Sequence, residues 1–466
     1  MRSAFAFLLL ALFPIAIGAD GEVPNPPQAP VTSVAVYDRN PEHIWNRLYA
    51  ALRVREDSRG NRYGEDSIDP MLWGESNHLL TKPSHGLALS VLDEFLQTHA
   101  ENMIQDPIER AMLLRDLWAV FDWSIQEYSG NRTQSVSYTN EKRELQIRLA
   151  EVLKRLALPQ EKINSLPHNY AQAVASGAFS AKYDPAQPHQ PFLPGDLFDP
   201  RGPWVCITPS PLSIGVGGVA KGHFTNVSGR SVFLVFVRLP EGRKGTLDYF
   251  QTLWNFPQPW VSGHIPVQAE RSEENSDLPS FPAGTQMALV RQMMLFDDQG
   301  NLAVSPIIES VQLRVYREVT QARARDFSAG PAGVARNSGQ EFFEIRMSRP
   351  LLFSGRQGGL RATARDDFEP PTFQTIGFDM VEAASRRQIT GSSPFEPTLQ
   401  TCLHCHSGGG IRSFNSLDSL LKPFERRQEP RDVNYGPRYW SNVNAVSWKE
   451  NRYDWGLLNG YWKARQ

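Results

Sequence analysis

The chain has few cysteines, little net charge and no long apolar run beyond its N-terminus. Three cysteines in 466 residues are far too few for a disulfide scaffold. A formal net charge of -2 gives no electrostatic reason to bind nucleic acid, so we expect no nucleic-acid partner. A membrane-spanning helix needs roughly 20 apolar residues. No later segment supplies them, so we expect no integral membrane span in the mature chain.

Several familiar catalytic motifs are missing as well. The sequence contains no phosphate-binding Gly-x-x-x-x-Gly-Lys-Ser/Thr loop, no Gly-x-Ser-x-Gly elbow and no His-Glu-x-x-His pair. The common signatures of nucleotide hydrolases, serine hydrolases and zinc proteases are therefore not available to explain the chain.

The N-terminus reads as an export signal. Arg2 supplies a positive charge, Ala4–Phe13 is almost wholly apolar, and Ala16–Gly18 offers the small residues that a signal peptidase tolerates. The apolar stretch is too short to span a bilayer comfortably. We therefore expect a signal peptide over residues 1–18 and a bacterial protein exported to the periplasm or the extracellular space.

Local patterns predict helices first and strands later. Leu145, Leu149, Val152 and Leu156 recur at helical spacing, and further helices are expected near Gly86–Met103 and Ile108–Tyr128. The strand signals follow, with an apolar run over Val232–Val237, alternating apolar and polar residues over Val311–Tyr316 and Phe343–Ser348, and a turn signal over Asp297–Asn301.

Proline-rich stretches separate these regions, because closely spaced prolines exclude helix interiors and central strands. We expect a multidomain α+β protein with an N-terminal helical domain, a central antiparallel β sandwich or barrel, and a short C-terminal segment. The predicted division is a signal peptide at 1–18, a proline-rich tether at 19–40, a helical domain at 41–181, a proline-rich linker at 182–203, a β-rich domain at 204–395 and a C-terminal segment at 396–466.

The C-terminal segment contains the most specific motif of the chain. It reads Cys402-Leu403-His404-Cys405-His406, so two of the three cysteines stand three residues apart with a histidine directly after them. Two thiols at this spacing can each add to a vinyl group of one haem, and the adjacent histidine is then placed to ligate the iron. In an exported chain this pattern predicts one covalently bound haem c.

At this motif the chain resembles the c-type cytochromes, and the resemblance covers little beyond Cys402, Cys405 and His406. It implies thioether links from the two cysteines, with His406 as the proximal iron ligand. Segment 396–466 is therefore expected to be the haem-binding segment. The redox partner that such a protein would serve is not indicated by the sequence.

The second axial ligand is not supplied by the motif, because no Met and no His follow His406. A ligand from upstream is one option, with Met380 as the nearest candidate and Met347, His264 and His223 as alternatives. A weaker ligand such as Tyr or Lys is another, and an open iron is the third. The axial ligand sets potential and reactivity, so these options imply different functions.

Basic residues after the motif are candidates for holding the two haem propionates, since Arg pairs carboxylates in a bidentate manner. Arg412 is the nearest of them, followed by Lys422, Arg426 and Arg427. Three functions remain open at this point. Electron transfer ranks first and a haem enzyme of peroxidase type with an open iron ranks second. The third is a non-haem exported binding protein with a Cys402–Cys405 disulfide.

Overall fold

The structure is a computed structural model of the full chain. It describes residues 34–56, 60, 62–66, 78–125, 138–207, 220–263, 271–317, 339–365, 367, 399, 406, 410–413 and 445–464. The predicted signal peptide, Cys402, Cys405, Met380 and His264 lie outside these residues.

The N-terminal half is helical, as predicted. Apolar residues at helical spacing bury one face of the fourth helix, which ends before Pro159 as expected. The second helix is shorter than predicted, because His99 adopts a left-handed φ of 50° just after it. The helices are α1 Ile44–Arg53, α2 Ser84–Gln97, α3 Pro107–Ile125, α4 Thr139–Leu156, α5 Gln160–Asn164 and α6 Asn169–Ala175.

A six-stranded antiparallel sheet follows, with the strand order β10-β9-β8-β7-β4-β3. The apolar run at Val232–Val237 forms a fully buried central strand, and Asp297–Asn301 makes the turn between the two longest strands. The strands of this sheet are β3 Val205–Cys206, β4 Ser231–Arg238, β7 Gln286–Phe296, β8 Leu302–Tyr316, β9 Gln340–Met347 and β10 Leu360–Ala362.

Short elements complete the described chain. Two small antiparallel pairs join β1 to β2 and β5 to β6. Residues 445–450 are also helical. The remaining elements are β1 Arg55–Glu56, β2 Arg62–Tyr63, β5 Trp260–Gly263, β6 Arg271–Glu274, α7 Lys221–Asn226, α8 Gly242–Trp254, α9 Arg349–Phe353 and α10 Tyr453–Lys463.

The α+β class is therefore confirmed, whereas the predicted sandwich or barrel is not what the described residues form. They build one six-stranded sheet with helices packed on it. The physical reason is that helices supply the apolar surface that a second sheet would have provided. Trp118 of α3, for example, packs edge-on against Phe296 of β7 with ring centroids 5.2 Å apart.

The helical and sheet regions share a buried core. Arg115 of α3 and Glu309 of β8 form an ion pair with 3.0 Å between Nε and Oε1, and both side chains are fully shielded from solvent. The proline-rich stretch 182–203 also packs inward, since Phe192 meets Phe343 of β9 edge-on at 5.5 Å. The predicted domain boundaries stay predictions, but buried contacts cross the one placed at 182–203.

The C-terminal aromatic residues pack into this same core. Trp455 and Trp462 of α10 contact Phe296, with centroids 5.7 and 5.1 Å away, and Trp462 Nε1 donates to the Ala150 carbonyl at 2.8 Å. Among the described helices, none combines the length and the apolar character that crossing a bilayer demands.

Candidate functional site

His406, the histidine of the Cys-x-x-Cys-His motif, is buried against the sheet. Its Nδ1 lies 3.0 Å from the carbonyl oxygen of Ser413. A carbonyl can only accept, so the ring donates a hydrogen bond from Nδ1. Metal-binding histidines are oriented in this way, with one ring nitrogen fixed by a backbone carbonyl and the other directed to the metal.

A tight turn brings the Ser413 carbonyl into position. Gly410–Ser413 forms a single 3-10 turn that begins with Gly410 at a φ of 52°, a conformation that glycine adopts without a steric penalty. The turn directs the chain back toward His406, so that a residue seven positions later can accept from the imidazole.

The ends of two strands hold this turn. Arg314 of β8 donates from Nη1 to the Ser413 hydroxyl at 3.1 Å and to its carbonyl at 3.3 Å, and the Tyr316 hydroxyl bonds the same Ser413 hydroxyl. Gln340 of β9 donates to the His406 carbonyl at 2.5 Å. Tyr316 and Gln340 face each other in the β8–β9 register, so one end of the sheet contacts both Ser413 and His406.

A second histidine lies beside the first. His223 of α7 is half-buried, and its ring is parallel to that of His406 with 6.0 Å between the ring centroids. Phe233 of β4 contacts His223 on another side, at a centroid distance of 5.7 Å. The sheet thus brings together two imidazoles that are 183 residues apart in sequence, counted from 223 to 406.

The surroundings of His223 favour its neutral form. Burial lowers the pKa of His223 from 6.5 to about 4, and the positive charges of Arg314 and Arg291 add to the shift. A neutral imidazole is the form that ligates a metal. The charge of Arg291 is itself compensated, because its Nε lies 2.7 Å from Glu309 Oε2.

The other sequence candidates divide into two groups. Met347 is described and buried in β9, seven residues along the strand from Gln340, which corresponds to about 23 Å. Met347 thus lies away from the end of β9 that contacts the His406 carbonyl. Met380 and His264 lie outside the described residues, and so does the side chain of Arg412, so their predicted roles stay predictions.

The sequence did not single out the residues that hold His406. The alternation over Val311–Tyr316 predicts that Arg314 and Tyr316 lie on the polar face of β8. Both are nevertheless buried, because Gly410–Ser413 covers that end of the strand. Their position at the same face, two residues apart, was readable from strand alternation. Their contact with Ser413 joins residues 97 and 99 positions apart, and no local pattern signals such a contact.

Within the part of the chain that the structure describes, no group of three or more His, Cys, Asp or Glu side chains is arranged to hold a metal ion. The two motif cysteines lie outside that part. Comparisons with family models, curated proteins and solved structures give no significant match, so the function has to be inferred from the site itself.

Proposed function

We propose that this chain is an exported monohaem c-type protein that transfers electrons. Cys402 and Cys405 would hold the haem through thioether bonds, and His406 would ligate its iron. The observation that supports this most directly is the hydrogen bond between His406 Nδ1 and the Ser413 carbonyl, because the rings of metal-binding histidines are commonly held by such a bond. Haem c, when bound, supplies an iron that takes up and releases one electron at a time.

The residues around His406 fit this role because they fix the orientation of its ring. The Ser413 carbonyl accepts a hydrogen bond from His406 Nδ1. Arg314 and Tyr316 in turn restrain Ser413 through their own hydrogen bonds. A ligand held through such a chain of hydrogen bonds keeps one orientation and one tautomer while the iron changes its charge.

Arginines near the site are placed to pair with the two propionate carboxylates of a haem. Arg314 is buried beside Ser413, and Arg291 lies close enough to His223 to affect its pKa. Guanidinium groups pair with carboxylates through two parallel hydrogen bonds. We propose that Arg314 and the sequence candidate Arg412 contribute positive charge where the propionates lie.

Electron transfer is favoured over catalysis because protein groups close in on the site. A catalytic metal keeps one coordination position open for its substrate, whereas an electron carrier needs no substrate in contact with the metal. Here the half-buried imidazole of His223 lies 6.0 Å from the His406 ring, measured between centroids.

The experiment that tests the proposal is expression of the full chain in a bacterial host that matures haem c. The purified protein is expected to show the absorption of a haem that stays with the polypeptide after denaturation. The double variant Cys402→Ser/Cys405→Ser is expected to lose the absorption of covalently bound haem. Cys206→Ser, which removes the remaining cysteine, is expected to keep it. A colourless wild-type protein with a Cys402–Cys405 disulfide would instead support the exported binding protein.

A further inference from the structure

We propose that His223 is the second axial ligand of the iron, so that the haem is six-coordinate with two histidines. This inference rests on the proposed haem at Cys402, Cys405 and His406 and adds the residue on its other side. It is carried by the geometry of two parallel imidazoles from distant parts of the chain.

The separation of the two rings matches one metal ion between them. An imidazole nitrogen binds a metal at about 2.0–2.1 Å. The centre of a five-membered ring with bonds of about 1.33 Å lies about 1.1 Å behind that nitrogen. Two imidazoles on opposite sides of one ion therefore have centroids about 6.3 Å apart. The observed distance between the centroids of His223 and His406 is 6.0 Å.

An open iron does not fit the same distance. A small oxidant placed between the iron and a distal histidine adds a contact of about 3 Å, so the centroids would lie about 9 Å apart. The distance between the rings of His223 and His406 therefore favours a ligand over a distal acid or base that acts on a bound substrate.

The protein holds His223 in place from two sides. Phe233 of β4 packs against the ring at a centroid distance of 5.7 Å. The turn that follows α7 ends at Arg230, whose Nη1 lies 2.6 Å from Asp122 Oδ2, and both side chains are fully shielded from solvent. This buried ion pair fixes the chain seven residues after His223, directly before β4 begins.

Ligand chemistry is consistent with this position. His406 donates a hydrogen bond from Nδ1 to a carbonyl, which is how the ring of a metal-binding histidine is commonly oriented. A bis-histidine iron binds carbon monoxide only after one imidazole leaves, which separates this arrangement from an iron with an open position.

The test uses the holoprotein and three variants, with spin state and carbon monoxide binding as readouts. Wild-type protein is expected to be low-spin and not to bind carbon monoxide rapidly when reduced. His223→Ala is expected to lose the low-spin signal and to bind carbon monoxide, and added imidazole is expected to restore the low-spin signal. His223→Met, which keeps a ligand, stays six-coordinate with an altered spectrum. His168→Ala removes an exposed histidine and serves as the matched control.

Covalent haem is measured on every sample by mass, so the two proposals fail in different ways. If haem is attached and His223→Ala keeps the wild-type spin state, the second ligand is another residue and the inference is wrong. The same conclusion follows if the wild-type protein binds carbon monoxide rapidly. If no haem is attached to the wild-type chain, the proposed function and the inference are both wrong.

Discussion

Arg314 Nη1 donates to the hydroxyl and the carbonyl of Ser413, and that same carbonyl accepts the Nδ1 proton of His406. The buried positive charge of Arg314 is thus connected through Ser413 to the imidazole that we propose as the proximal ligand. The contact links the end of β8 to Ser413, so the sheet both positions His406 and sets its electrostatic surroundings.

This charge is expected to raise the reduction potential. Oxidised iron carries one more positive charge than reduced iron, so a nearby guanidinium disfavours the oxidised form. Arg314→Gln is expected to lower the potential on the order of tens of millivolts, as a redox titration would measure. Arg314→Lys keeps the charge and loses only the planar, multiple-donor geometry of the guanidinium. The reduction potential of this variant should therefore stay near that of the wild type. A potential that is equal or higher in Arg314→Gln would contradict this electrostatic role.

The buried carboxylate of Asp116 joins α1, α3 and α9. Its Oδ1 lies 2.8 Å from Arg53 and 2.6 Å from Arg349, and all three side chains are buried. Asp116→Asn leaves two buried guanidinium charges with one fewer counter-charge, so we expect a loss of about 3–5 kcal/mol in the free energy of unfolding. The matched control is Glu94→Gln, which breaks the more exposed pair with Arg47 and should cost at most about 1 kcal/mol. Denaturant unfolding measures both, and equal losses would show that Asp116 has no special role.

Stability should also depend on pH through Glu109 in the first turn of α3. Burial raises its pKa from 4.5 to about 7, and the carboxylates of Asp106 and Asp38 add to the shift. The folded state therefore binds a proton more tightly than the unfolded state. Its contribution to stability is fully present below pH 4.5 and is lost as the pH rises through about 7.

Glu109→Gln is expected to reduce this fall in stability between pH 4.5 and 7, since the amide does not titrate. Denaturant unfolding at pH 5 and pH 8 would measure the change, with Glu161→Gln on the exposed side of α5 as the control. If Glu109→Gln shows the same pH dependence as the wild type and the control, Glu109 is not the titrating group.

Local patterns predicted much of the fold. Helical spacing located α4, an apolar run located β4, and a cluster of turn residues located the hairpin between β7 and β8. These features arise from residues close in sequence, whose periodicity is set by the geometry of each element. The arrangement of the elements was not predictable in this way, because the buried pair between Arg115 and Glu309 joins residues 194 positions apart.

The candidate site was predicted in part for the same reason. The spacing of Cys402, Cys405 and His406 is local and was readable directly. The four upstream candidates for a second ligand could not be ranked by local spacing, and proximity in sequence placed Met380 first. The fold brings His223 to His406 because α7 packs beside β4, and Ser413, which accepts from His406, contacts the end of β8. That relation depends on the tertiary structure and has no counterpart in local spacing.

The intact mass of the mature protein tests the central proposal most directly. The full chain is expressed in a bacterial host that matures haem c, purified from the exported fraction, denatured and weighed. We predict the mass of a chain that lacks its first 18 or 19 residues and carries one haem. A mass equal to that of the bare polypeptide, from a host that attaches haem to a control cytochrome in parallel, would contradict the proposal.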